Sequence, residues 1–594
     1  MQLHPLHELG HPRTIAEVLA ARAERTPDAL AYLSTRDVVT DQRLTYGQLD
    51  ALARGVAKRL RAIGPGPSRV LLAIPSSLPF TVGLFGTLYA GKTAVPVALP
   101  RSFEARDEAE RQRLLRTVVD CEPSAVLTLG PLAPFLDALL LSGVGPAAPP
   151  LLAVDEVDPL PCGRIELAGP DELAVLQYTS GSTREPRGVR VRHENILANQ
   201  SMIQAAFQTD QTTIVGGWLP PYHDMGLIGN LLHPMYLGVP SILLPTQAFA
   251  QRPHLWLKLI DRYRVTTSGG PSFAYELCVR MCRERHVADL DLSCWTLAFD
   301  GSEPVRAATH RRFAERFAPQ GFSPSSFFPC YGLAEATLFV SGGPRRERGP
   351  RTIEVDPSAL AEGRVARSRG PHALELVSCG EPSGVAAADL IIADPHELTP
   401  LPEGRVGEIW VRGPHVTEGY WGAAGLGPES QIESQPCFGV ELGGQKEYLR
   451  TGDLGFLLDG ELFVTGRLKD LIVVHGKNHY PHDLEATVAA ALGVDPMRVA
   501  VMSDAIAPDK VAIVVELDRG KPRPSDADLR RVRGDVFGAH GLATGTFVVA
   551  SPGAIPRTTS GKKQRLLLAQ RLAAGALASE PVPSEEAVSQ GERS

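Results

Sequence analysis

The stretch AVLQYTSGSTREPRG, residues 174–188, joins an apolar run to a loop of hydroxyls, glycine, proline and arginine. Residues 174–178 read as a buried strand, because short apolar runs bounded by turn residues suit the interior of a sheet. Beyond that run Thr179, Ser180, Ser182 and Thr183 set four hydroxyls around Gly181, and a glycine lets backbone amides approach an anion closely. Arg184 and Arg187 add positive charge. Most Ser/Thr clusters are plain turns. Hydroxyls, glycine, proline and a basic residue in this order, following a strand, point to phosphate instead.

The alternation of apolar runs and helical patterns extends outward on both sides. Strands are expected at 70–74, 125–129, 214–219, 241–244, 265–268 and 296–299, with helices between most of them. Two helix starts carry capping-box pairs, Thr14 with Glu17 and Thr45 with Gln48. After the second, Leu49, Leu52, Val56 and Leu60 recur at helical spacing. Strands alternating with helices predict an α/β fold of mainly parallel sheets, more than one of them at this length. From about Arg467 the rhythm shortens: strands at 471–475, 499–502, 511–517 and 547–549 surround a helix that starts near Pro481 and stops before Gly493. That predicts a small α+β C-terminal domain of roughly 100 residues. The division expected is 1–466, 467–575 with a hinge near Lys469, and a disordered tail at 576–594, rich in Ala, Ser, Glu and Pro.

Composition narrows the class. The 594 residues exceed one core. Hydrophobic residues at 43% and charged residues at 21% exclude a disordered or coiled-coil chain. The balance of 60 Lys plus Arg against 67 Asp plus Glu, net −7, argues against nucleic acid as partner. Eight scattered cysteines read as reduced thiols of a cytoplasmic protein. The start lacks a basic segment followed by an apolar run, so no secretory signal is expected. The most apolar windows are broken by proline and polar residues, so no membrane span is expected either.

Two other patterns invite a functional reading. GTLYAGKT, residues 86–93, is a formal Walker A string. A working phosphate loop needs a strand entering and a helix leaving; here a helical pattern precedes and a short β-type run follows, so a helix-to-strand turn is expected. Cys278, Cys282 and His286 fall at helical spacing, but three ligands without a fourth make helix packing the expectation over a metal.

The phosphate loop resembles that of the adenylate-forming enzymes, the superfamily of acyl-CoA synthetases, luciferases and nonribosomal adenylation domains. Five further segments resemble that superfamily's motifs in its order: GSEP at 301–304 the adenine-side turn, YGLAEAT at 331–337 the tyrosine-glycine and magnesium-glutamate segment, RTGDLG at 450–455 the ribose aspartate, GRLKDLI at 466–472 the hinge, and PRTTSGK at 556–562 the catalytic lysine loop. Within it, WLPPYHDMGLIG at 218–229, GGPSFAYELC at 269–278 and GRLKDLIVVHGKNHYPHDLE at 466–485 are similar to the fatty acyl-AMP ligases. The stretch at about 344–375 resembles the insertion that sets those ligases apart from acyl-CoA synthetases.

The resemblance implies a large N-terminal adenylation domain and a small mobile C-terminal domain. It also implies ATP and Mg²⁺ as cofactors, a fatty acid as substrate, and an acyl carrier protein acting in trans as acceptor. The serine motif that would mark a carrier domain is not found in this chain. By the same likeness Thr179, Ser180, Gly181, Ser182 and Thr183 hold phosphates, Gly301, Ser302 and Glu303 form the adenine-side turn, and Tyr331 and Gly332 lie against the adenine. Glu335 binds Mg²⁺ as a hard oxygen ligand. Asp453 accepts from the ribose, Arg467 donates to ribose or phosphate, and Lys562 bridges the attacking carboxylate and the α-phosphate. His223, in a Tyr-His-Asp turn, either orients the acid or serves structurally. Two departures stand out. Arg187 replaces a frequent lysine and keeps its charge; Ala334 replaces a frequent threonine, leaving Thr337 or the loop hydroxyls to supply the lost donor. The competing readings are a coenzyme A synthetase and an inactive adenylate-fold binding module; retention of Glu335, Asp453, Arg467 and Lys562 favours an enzyme over the inactive module.

Overall fold

The structure is a computed structural model. It describes residues 9–64, 66–100, 107–163, 167–179, 187–344, 346–347, 349–370, 373–382, 388–421, 437–442 and 445–475, with backbone only at 442 and 445–447, and 477–507, 509–517, 521–558 and 561–577. Ser180, Gly181, Ser182, Thr183, Arg184 and nearly all of the expected tail lie outside the described residues.

Two sheets built mainly of parallel strands form the body of the large domain. The first has eight strands in the order Phe339–Gly342, Phe327–Gly332, Leu297–Asp300, Thr267–Gly269, Val215–Gly217, Ser241–Leu243, Leu30–Thr35 and Asp41–Thr45. Only its two outermost pairings are antiparallel. The second has six, in the order Leu151–Ala153, Ala125–Thr128, Arg69–Leu72, Thr93–Pro96, Leu173–Thr179 and Arg187–Arg192. Its one antiparallel pair, Leu173–Thr179 with Arg187–Arg192, flanks the hydroxyl-rich loop. All the N-terminal strands expected from sequence lie in these sheets. Their runs are continuous in hydrophobicity because both faces are covered: Val70, Leu71 and Leu72 are fully buried.

Helix Tyr46–Ile63 starts on a complete capping box, Gln48 N–H donating to Thr45 Oγ1 and Thr45 N–H to Gln48 Oε1. At Thr14 only half of that expectation holds. The Glu17 amide donates to Thr14 Oγ1 at 3.1 Å, but the Glu17 carboxylate accepts from the backbone of Arg13, one residue earlier than a capping box requires.

A third sheet had no counterpart in the sequence reading. Asp389–Ala393, Gly407–Arg412, Gln445–Leu458 and Val440–Leu442 pair antiparallel, with Glu461–Arg467 added against Gln445–Leu458. The stretch at 344–375 forms a strand, Thr352–Val355, paired with Leu374–Val377, and a short helix, Pro357–Ala361. It packs on the third sheet of the large domain and also on the small domain. Ile353, Val355 and Leu360 share one apolar cluster with Phe456 and Phe463 of the third sheet and with Tyr480, and Lys477 Nζ lies 3.4 Å from Glu362.

The small domain is a three-stranded sheet, Val499–Ser503 antiparallel to Lys510–Glu516 and the latter parallel to Ala543–Ala550. Alternation along the central strand divides its core. Val511, Ile513 and Val515 face helices Pro481–Leu492 and Asp526–His540, while Ala512 and Val514 face Leu568 of helix Arg565–Ala573. Gly493 ends the first helix at φ +61°, where a side chain would be strained.

The Walker-like string is structural. Gly86 lies inside helix Leu78–Tyr89, where a Cβ would stand 2.5 Å from Val56, so this glycine permits close helix packing. A strand, Thr93–Pro96, follows. Lys92 is buried and donates to the carbonyls of Gly64 and Gly66 and to Ser68 Oγ, at 2.8 to 3.1 Å. Cys278 is buried in helix Ser272–Met281, and His286 stacks on His254. Lys92→Ala is therefore expected to lower the melting temperature, through three orphaned partners at about 1–3 kcal/mol in all, while turnover of the folded protein stays within a few-fold of wild type. A loss of turnover without a loss of stability would contradict this reading.

Candidate active site

A cleft of about 1740 Å³ runs between the strand ends of the large domain and the lysine loop of the small one. Thr179, Arg187, His223, Gly301, Ser302, Glu303, Tyr331, Gly332, Glu335, Asp453, Arg467 and Lys562 all line it. Residues from seven separate motifs thus meet in one space.

Each is placed by its element. Gly301 and Ser302 leave the end of strand Leu297–Asp300, and Ser302 holds φ +73°, an unusual conformation for a residue with a side chain. Gly332 ends strand Phe327–Gly332 against the Leu338 carbonyl, which a Cβ would meet at 1.7 Å, so no other residue fits. His223 and Asp224 occupy the turn before a π-helical segment, Met225–Leu232, a geometry often found at functional sites. Asp224 Oδ1 accepts from the Met225 amide at 2.7 Å and lies 2.5 Å from His223 Nδ1.

Asp453 holds two neighbours. Its Oδ2 accepts from the Tyr331 hydroxyl at 2.9 Å, and its Oδ1 lies 3.0 Å from Arg467 Nε. The adjacent Asp453 charge raises the Arg467 pKa above the ordinary arginine value. Buried Glu408 shapes the same turn, accepting from Arg450 Nε, Trp410 Nε1 and the Gly452 amide. Glu335 Oε1 accepts from Tyr420 at 2.6 Å. Its Oε2 has no protein partner among the described residues, so it presents a hard oxygen to the cleft. One such carboxylate fits Mg²⁺, which takes one or two carboxylates and draws its other ligands from water and substrate phosphates.

Lys562 enters from the small domain on a loop in which Thr558 N–H donates to the Lys562 carbonyl and Lys562 N–H to Thr558 Oγ1. Burial, and then the Arg467 charge, push its pKa below the ordinary lysine value, against the opposing pull of Asp224, Asp453 and Glu303. Burial raises the Glu303 pKa, although its Oε1 accepts from the Phe273 amide at 2.7 Å.

One expected site residue is corrected. Thr337 does not line the cleft: it is buried at φ +66°, and its hydroxyl donates to the His415 carbonyl at 2.7 Å. It cannot replace the donor absent at Ala334. The guanidinium of Arg187, by contrast, lies at the cleft over the ring of Tyr420, 5.4 Å from its centroid. Sequence reasoning passed over Asp224 and Tyr420 as partners of His223 and Glu335. Asp224 sat inside a quoted motif, whereas nothing local marked Tyr420.

A buried ionic cluster seats the lysine loop, and it too escaped the sequence reading. Glu485, fully buried on helix Pro481–Leu492, accepts from Lys563 Nζ at 2.6 Å and from Arg565 Nε and Nη2 at 2.7 and 2.9 Å. Lys563 also donates to the carbonyls of Pro496 and Val499. Burial works to raise the Glu485 pKa, yet the charges of Arg565 and Lys563 outweigh it and hold the carboxyl well below the usual carboxylate range. A carboxyl depressed in the folded state stabilises the fold above its unfolded pKa, and that stability is lost as the pH falls from there toward the folded value. Glu485→Gln should therefore cost about 3–5 kcal/mol at neutral pH, and the cost should shrink on acidification. Thermal melts of both proteins across pH 3 to 7 check this; a cost independent of pH would refute it.

Comparison with known proteins agrees with this geometry. The AMP-binding enzyme family matches residues 19–421. A medium-chain-fatty-acid–[acyl-carrier-protein] ligase, TtuA, of Teredinibacter turnerae is 36% identical over 604 aligned residues, covering 93% of this chain and 92% of that protein. A solved structure from work on the fatty acyl-adenylate ligases of E. coli and L. pneumophila aligns with a TM-score of 0.83 at 32% identity, over 95% of this chain and 98% of that one. The L. pneumophila fatty acyl-adenylate ligase in complex with acyl adenylate and pyrophosphate aligns with a TM-score of 0.72 at 34% identity, over 95% and 97% of the two chains. The chain belongs to the AMP-binding enzymes and, within them, to the fatty acyl-AMP ligases.

Proposed function

We propose that the protein activates a fatty acid with ATP as its acyl-adenylate and then passes the acyl group to the phosphopantetheine thiol of a separate acyl carrier protein. The observation that carries this reading is the half-buried Lys562 ammonium, which lines the cleft with Asp224, Glu303, Asp453 and Arg467 and feels the charge of each. Cations gathered in a site shielded from water stabilise charge passing through a phosphoryl group.

In the first step the fatty carboxylate attacks the α-phosphorus, an oxygen–phosphorus bond forms, and pyrophosphate leaves. Lys562 neutralises the carboxylate and α-phosphate as they meet, Arg187 faces the phosphate side, and Asp453 with Arg467 grips the ribose. Thr179 and the loop after it hold the β- and γ-phosphates, Gly301 to Glu303 and Tyr331 with Gly332 frame the adenine, and His223, steadied by Asp224, orients the acid. Glu335 would hold Mg²⁺, which supplies charge neutralisation on the phosphates. The cleft continues between Ile203, Phe207, Val215, Met225, Phe299 and Leu338, an apolar lining in which each buried methylene of an acyl chain contributes about 0.8 kcal/mol. In the second step the thiol attacks the acyl carbonyl, the carbon–oxygen bond to AMP breaks, and the thiol proton is lost to solvent.

The second step calls for a different orientation of the small domain, turning at the short turn Leu468–Asp470. We take 467 as the start of that domain. The cluster joining Ile353, Val355 and Leu360 to Tyr480 bridges the two domains and supports a restraint on the rotation that free coenzyme A would need. A carrier protein offsets that restraint with its docking energy. Eight free cysteines support a reducing, cytoplasmic setting, and among the described residues no helix is long and apolar enough to cross a membrane.

Pyrophosphate release from ATP in the presence of fatty acids tests the activity directly. Lys562→Ala should lower acyl-AMP formation by about two or more orders of magnitude with ATP binding retained; adenylation at the wild-type rate would remove Lys562 from its role. In the intact protein, acyl transfer to a holo carrier protein should exceed transfer to coenzyme A, as read by mass spectrometry of both thioesters. Coenzyme A turnover equal to carrier turnover would refute the restraint.

A further inference from the structure

Helix Ser272–Met281 begins at the reaction centre and ends at the surface. At its start the Phe273 amide donates to Glu303, and the Phe273 ring lies 3.8 Å from where a Cβ on Gly561 would stand. Its ten residues span about 15 Å at 1.5 Å each. Near its far end Arg280 reaches across to Asp495 of the small domain at 2.5 Å. The seam between the domains therefore follows this helix from the catalytic lysine loop outward.

Directly beyond it the chain gathers positive charge. Exposed Arg283 and Arg285 follow the helix, and the His286 ring stacks on His254 with centroids 4.3 Å apart, bringing them beside Arg252 and Lys258. Burial, followed by Arg285, Lys258 and Arg283, lowers the His286 pKa, and burial followed by His286, Lys258 and Arg252 lowers that of His254. The cations thus act on one small area. Between residues 252 and 287 there are seven Lys and Arg against three Asp and Glu, in a chain whose overall balance is −7. The three acids are already engaged: Asp261 with Arg264, Glu276 with Arg312, and Glu284 with Arg316. Among the described residues no carboxylate lies within ion-pair distance of Arg252, Lys258, Arg283 or Arg285. Clustered like charges repel one another and hold no core together; what they do well is attract and orient an oppositely charged partner.

We propose that the surface formed by Arg252, Lys258, Arg283 and Arg285 is where an acidic acyl carrier protein docks to deliver its thiol. The assignment rests on carrier-directed acyl transfer as the protein's second reaction. Two features commit it to this occupant. Its charge complements the acidic helical face of a carrier, and it stands on the large domain one short helix from Glu303 at the cleft, a separation that persists when the small domain turns and that suits a flexible phosphopantetheine arm.

The test compares wild type with the triple variant Lys258→Glu, Arg283→Glu, Arg285→Glu in three assays: pyrophosphate release, acyl transfer to an acidic holo-acyl carrier protein, and acyl transfer to free pantetheine. The variant is expected to keep adenylation and pantetheine transfer within about twofold, to raise KM for the carrier by about tenfold or more, and to lose the wild-type weakening of carrier transfer by salt. The glutamine triple variant should fall between, and it serves if the reversed protein does not fold. An unchanged carrier KM, an equal loss with pantetheine, or no carrier transfer by wild type would overturn the docking surface. So would reduced binding of the variant to anionic phospholipid vesicles with carrier kinetics intact, which would assign the patch to a lipid surface. Absence of pyrophosphate release by wild type would instead overturn the activity, and the docking surface with it.

Discussion

The carboxylate of Asp453 ties the molecule together at its working point. One oxygen takes the Tyr331 hydroxyl, from the last parallel strand of the eight-stranded sheet; the other faces Arg467, at the end of the strand that leads into the turn Leu468–Asp470. A parallel sheet, an antiparallel sheet and the link to the small domain thus converge on one buried acid. Removing an ion from water is costly unless its lone pairs are satisfied, so this arrangement holds only when all three elements are in place. A nucleotide ribose bound there meets a group whose orientation is already set.

The lysine loop poses the opposite problem. Lys562 has to reach into the cleft, yet it belongs to the domain for which the proposed function requires a rotation. The small domain solves this internally, because Glu485, Lys563 and Arg565 lock the loop to its own helix and strands. The Arg565 guanidinium also lies 3.7 Å from Asp470 in the hinge turn. On the proposed rotation the loop would therefore move as part of a rigid body and keep its geometry as Lys562 enters or leaves the site. Such preorganisation lets one ammonium serve a reaction without being re-ordered at each turnover.

Two motifs show how the same residue types acquire different meanings. The Walker-like string and the loop proposed to hold phosphate both combine glycine, hydroxyls and a basic residue. In the first, a helix enters and a strand leaves, so the lysine turns inward to three backbone and hydroxyl acceptors. In the second, two antiparallel strands flank the loop, and Thr179 and Arg187 at their ends line the cleft. Thr337 adds a converse case. It lies in a motif that reaches the site, but its strained backbone turns the hydroxyl toward His415. Chain context decided each outcome.

Much of the fold was legible in local pattern. Continuous apolar runs announced parallel strands because such strands are buried on both faces, and the helix at Pro481 was bounded by its own proline and glycine. The ordered motifs around Gly301, Tyr331, Asp453, Arg467 and Lys562 identified the chemistry, since each needs particular atoms that few other residues supply. What the sequence left undecided depends on distances between remote segments. The antiparallel sheet around Trp410 is held by pairings that no local periodicity encodes, and the Glu485 cluster joins residues about eighty positions apart. The partner of Glu335 is a tyrosine 85 residues away. The basic surface at 252–287 acquires its character only when folding pairs its acids with other arginines. Local sequence determines which groups exist and which element carries them; only tertiary packing decides which of them remain uncompensated and face the same space.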